Sequence, residues 1–63
     1  MIVVGEALAI DPLEIESISS DRYWIRFDMK SKDAKVIVLD KLSLSEVRAE
    51  FHRVVAETEA AKS

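Results

Sequence analysis

The chain has 63 residues, twelve acidic and nine basic, for a net charge of −3, with one histidine and no cysteine. This length allows one domain whose core buries only about 60% of the surface it exposes when unfolded, and no disulfide or thiolate metal site can staple it. An isoelectric point near 5.0 excludes the broad basic footprint that nucleic acid or anionic membranes require.

Charge is nevertheless uneven along the chain. Residues 1–20 hold Glu6, Asp11, Glu14 and Glu16 and no basic side chain, whereas residues 21–42 hold six basic and four acidic ones. Such asymmetry can orient two copies, or one partner, by electrostatic complementarity. Oligomerisation is also the one common staple left to so small a core, so a homodimer is expected.

Met1–Val4 and Ala7–Ile10 are apolar, strand-like pieces joined at Gly5, the only glycine. That glycine predicts either a tight turn or a bulge within one longer strand. Glu6 follows the apolar start at once, which is not the pattern of a secretory leader. No run approaches the roughly 20 apolar residues of a membrane-spanning helix. A cytoplasmic protein without membrane association is therefore expected.

Asp11-Pro12 stops the strand. Proline suits the first position of a helical turn and Asp11 can cap it, so a single turn is predicted at residues 12–15. Ile15 and Ile18 then point back to the core as the chain re-extends. Arg22 to Met29 alternates, with Tyr23, Ile25, Phe27 and Met29 on one face and Arg22, Trp24, Arg26 and Asp28 on the other. After the polar stretch Lys30–Lys35, the β-branched run Val36–Leu39 completes a predicted hairpin.

Ser43-Leu44-Ser45-Glu46 has the form of a capping box, with Leu42 and Val47 placed as a hydrophobic staple. Leu44, Val47, Phe51, Val54 and Val55 then repeat at three- and four-residue steps, one apolar stripe of an amphipathic helix. Beyond Thr58 nothing remains to bury. Residues 1–58 are thus expected to form a single domain and residues 59–63 a frayed tail.

The expected fold is α+β: a small antiparallel sheet of three or four strands with one C-terminal helix packed on one face. A single helix covers only one face of such a sheet. The other face, holding Trp24 and alternate members of the 36–39 run, is left open and is the main functional clue.

Trp24 lies between Arg22 and Arg26, and Trp and Arg dominate protein-binding hot spots. A partner or self-interface at Trp24, Arg22 and Arg26 is favoured. The same trio could stack single-stranded bases with the arginines on phosphates, but Asp28 on that face and the acidic total weigh against nucleic acid. The bland alternative is that arginine stems pack on an exposed indole.

His52 has no nucleophile or orienting carboxylate at helical spacing, so a solvated surface histidine is expected. Glu46, Glu50, Glu57 and Glu59 are interrupted by Arg48 and Arg53 at ordinary helical pair spacing, which marks a solvated face. One glycine excludes every Gly-rich phosphate loop, and neither zinc nor calcium spacing is present. No cofactor, metal site or catalytic residue is predicted.

The segment Ile10-Asp11-Pro12-Leu13-Glu14-Ile15-Glu16-Ser17-Ile18, the hairpin at Arg22–Leu39 and the Ser/Glu-capped helix at Ser43–Val55 together resemble the small flagellar FlbD family and similar short bacteriophage proteins. The family's leading L-N-G and its hairpin glycine are replaced here by Val4-Gly5-Glu6 and Lys32-Asp33-Ala34. The resemblance implies a β-rich layout with a C-terminal helix and no catalytic residues. The expected function is a non-enzymatic protein-binding module, a regulator or inhibitor of a larger protein. Its specific form is a phage-encoded protein acting on a host or defence protein. A nucleic-acid-binding accessory protein and a structural subunit of a homo-oligomer are the alternatives.

Overall fold

The computed structural model describes residues 1–5 and 7–63. Two short strands, β1 (Ile2–Val4) and β2 (Leu8–Ile10), pair antiparallel across the turn at Gly5. A 3₁₀ turn at Pro12–Glu14 follows, and then β3 (Ile15–Ser20), β4 (Trp24–Met29) and β5 (Ala34–Val38) form a second antiparallel sheet in that order. Helix α1 (Leu44–Lys62) closes the chain. The fold is α+β as expected, and its strands divide between a two-stranded and a three-stranded sheet.

Gly5 settles the first ten residues as a hairpin of two strands. Its φ of +57° is left-handed, and a Cβ there would lie 2.7 Å from Leu39 Cδ2 and 2.8 Å from Ile37 Cδ1. A left-handed backbone and close apolar neighbours both require glycine. The turn is thereby held against the end of β5. Asp11 caps the 3₁₀ turn through Leu13 N–H at 3.0 Å, with Pro12 in its first turn.

One core unites all elements. Phe27, Ile10, Ile15, Ile25, Val4, Val47 and Val54 are its fully buried side chains, with Ile2, Met29, Ile37 and Leu39 around them. Ile25, Phe27 and Met29 thus take the inward positions of β4. Tyr23, expected beside them, lies outside the strand and is 51% exposed. The chain is still turning at Asp21–Tyr23, so the alternation begins only at Trp24.

The helix rests on β1, the 3₁₀ turn and the start of β3. Its buried stripe is Val47, Val54 and Thr58, with Phe51 and Val55 partly buried. Leu44, expected in that stripe, is 48% exposed. Thr58 replaces it at the other end, because its hydroxyl donates to Val54 O at 2.8 Å and so needs no water. The helix also continues through residues 59–62, where a frayed tail was expected. Lys62 Nζ donates to Ile15 O at 2.6 Å and anchors this last turn.

Candidate interaction surface

Directly opposed residues of antiparallel strands share a face. The register pairs Trp24 with Val38, Arg26 with Val36 and Asp28 with Ala34, and on the other side Arg26 with Ser19 and Asp28 with Ser17. These residues make up the outer face of the three-stranded sheet, away from the core. Val36 is 53% and Val38 56% exposed, while Trp24 is partly buried between its neighbours.

The two arginines flanking Trp24 are placed differently from each other. Arg26 turns along the strand to Asp28, with Nε at 3.1 Å and Nη2 at 3.0 Å from the same carboxylate oxygen. Ser17 Oγ donates to the other oxygen of Asp28 at 3.1 Å. The charge of Arg26 is therefore matched within the face. Arg22 lies in the β3–β4 turn, where it lines a shallow hollow with Ser20, Asp21, Leu44 and Arg48. The trio Arg22, Trp24 and Arg26 is thus close in sequence without forming one cationic platform around the indole.

A larger open groove of about 740 Å³ lies beyond the C-terminal end of β5, between the 38–42 connection, Gly5 and the first turns of α1. Among the described residues, Asp40, Glu46 and Glu50 line it against one cation, Lys41. Glu46 closes the capping box on Ser43, and the hydrogen bonds from Ser43 hold its carboxyl below its ordinary value. Glu50 Oε2 accepts the Gly5 N–H at 3.0 Å and Oε1 accepts from Arg53 Nε at 2.6 Å. The Arg53 hydrogen bond, more than the Gly5 N–H, lowers the Glu50 carboxyl despite partial desolvation. Arg53 reaches Val3 O at 2.8 Å and also pairs with Glu57. This groove was not legible in the sequence, since it is built by a connection meeting a turn 35 residues away.

His52 is exposed, with its ring 5.7 Å from that of Phe51. Among the described residues, no three of His, Cys, Asp and Glu gather as a metal-ligand set. No helix among them is long and apolar enough to cross a membrane. No protein-family model, curated protein or solved structure matches this chain.

Proposed function

We propose that this chain is a non-enzymatic protein-binding module, acting as a regulator or inhibitor of a larger protein through the outer face of its three-stranded sheet. The observation that carries this proposal is the internal pairing of Arg26 with Asp28 beside a partly buried Trp24 and two exposed valines. A face whose charges cancel within itself offers little to a phosphate chain. It does suit the desolvated centre of a protein interface, where an indole anchor sits among apolar neighbours and a polar rim. Ser17 and Ser19 supply that rim on the β3 side.

The immobilised chain should retain one protein stoichiometrically from an extract of the source cells. Trp24→Ala should weaken that retention by about 30-fold or more, the effect of losing a hot-spot anchor. Equal retention by the variant would exclude this face. Quenching of Trp24 emission by single-stranded oligothymidylate, falling steeply with added salt, would instead establish a nucleic-acid binder.

A further inference from the structure

The two edges of the three-stranded sheet are unlike. The β3 edge is polar, with Glu16, Ser17, Ser19 and Ser20 exposed, and its register is broken by a bulge between Ile15 and Ser17. Bulges and polar side chains are how sheet edges are kept from pairing. The β5 edge has no bulge, and Lys35 is the one charged side chain along it. Its register against β4 is regular from Ala34 to Val38, and no other strand pairs with it among the described residues. Val36 and Val38 stand exposed along it.

The ladder also says which backbone groups this edge presents. At its two ends Leu39 N–H donates to Tyr23 O and Met29 N–H donates to Asp33 O. Hydrogen-bonded pairs alternate in an antiparallel ladder, so residues 33, 35, 37 and 39 face β4. The N–H and C=O groups of Ala34, Val36 and Val38 therefore point outward.

We propose that a second copy of this chain pairs antiparallel along β5, about a two-fold axis at Val36, to make a continuous six-stranded sheet. Val36 would exchange both backbone bonds with the second copy's Val36, and Ala34 would do so with the second copy's Val38. The reciprocal pair completes an isologous contact of three hydrogen-bonded pairs. In this register Lys35 opposes Ile37 of the other copy rather than its own equivalent. Ala34, Val36 and Val38 from both copies then form one apolar stripe on the outer face, with a Trp24 on either side.

Charge supports the same register. Lys30, Lys32 and Lys35 against Asp33 give the hairpin tip a net charge of +2. Pairing residue 34 with residue 38 brings this tip to the far end of the other β5. There, among the described lining residues, Asp40 and Glu46 against Lys41 leave a net charge of −1, Glu50 being paired with Arg53. Each tip thus meets an opposite charge, twice over by symmetry.

This contact does not depend on what the Trp24 face binds, and its test uses the isolated chain, so either proposal can fail alone. Light scattering over a micromolar to millimolar series should show the mass rising to twice the 7.1 kDa of one chain. Val36→Lys, at an exposed position, should keep the native circular dichroism and stay monomeric, because it places like charges opposite each other on the axis. Asp40→Lys, also exposed, should raise the dimer dissociation constant about tenfold, as expected for losing two symmetry-related surface pairs. A wild-type mass fixed at one chain would overturn the proposal. A folded Val36→Lys variant that still dimerises would do so too, and, if that variant fails to fold, so would an unchanged dissociation constant for Asp40→Lys.

Discussion

Gly5 carries two constraints that no other residue type meets together, a left-handed backbone and two apolar side chains within the reach of a Cβ. Gly5→Ala should therefore destabilise the fold by about 1–3 kcal/mol, combining backbone strain with overpacking against Leu39 and Ile37. Thermal unfolding of the variant measures this directly, and a midpoint equal to the wild type would show that the turn relaxes freely. The glycine itself was legible as a break in the sequence. Its choice between bulge and turn was not, because that choice depends on Ile37 and Leu39, more than thirty residues later. Arg22 and Arg26 show the same limit. Alternation places both beside Trp24, yet the turn at Asp21–Tyr23 diverts one and Asp28 engages the other.

At the scale of elements, the helix is joined to the first hairpin by polar contacts as well as by its stripe. Glu50 accepts the Gly5 N–H and Arg53 donates to Val3 O, so two helical side chains hold successive parts of β1 and its turn. Glu50→Gln should cost about 1.5–3 kcal/mol at neutral pH, the range for hydrogen bonds to a charged group. The pH dependence follows from the lowered folded-state carboxyl. A depressed carboxylate stabilises fully above its ordinary value near 4.5, and that contribution fades as pH falls through the lower folded value. Denaturant unfolding between pH 7 and 3 should show a shallower acid loss in Glu50→Gln than in the wild type. Parallel acid limbs would contradict the role given to Glu50. The capping box, the helix stripe and the β4–β5 hairpin were legible because each is set by neighbours within a few residues. The contacts of Glu50, Arg53 and Lys62 bridge 45 or more residues, and no local pattern announces them.

For the whole molecule, the core uses the inner faces of both sheets and the helix stripe, and it leaves one face and one edge of the larger sheet open. The open face follows from binary alternation and one helix, so it could be expected from the sequence. The open edge could not, since it depends on which strand ends the sheet and on the parity of the ladder. In the proposed arrangement they would divide the surface into a self-pairing edge at β5 and a partner face at Trp24, with the second copy doubling that face. Two linked copies of one binding face would raise avidity for a repeated or dimeric target without any new contact.

Amide hydrogen exchange along β5, followed from dilute to concentrated protein, tests this arrangement most directly. The expected result is that Lys35 and Ile37 are protected throughout by β4, while Ala34, Val36 and Val38 gain at least about tenfold protection only as the dimer forms. Unprotected amides at Val36 and Val38 under conditions where the mass has doubled would contradict it, and would place the self-interface elsewhere on the molecule.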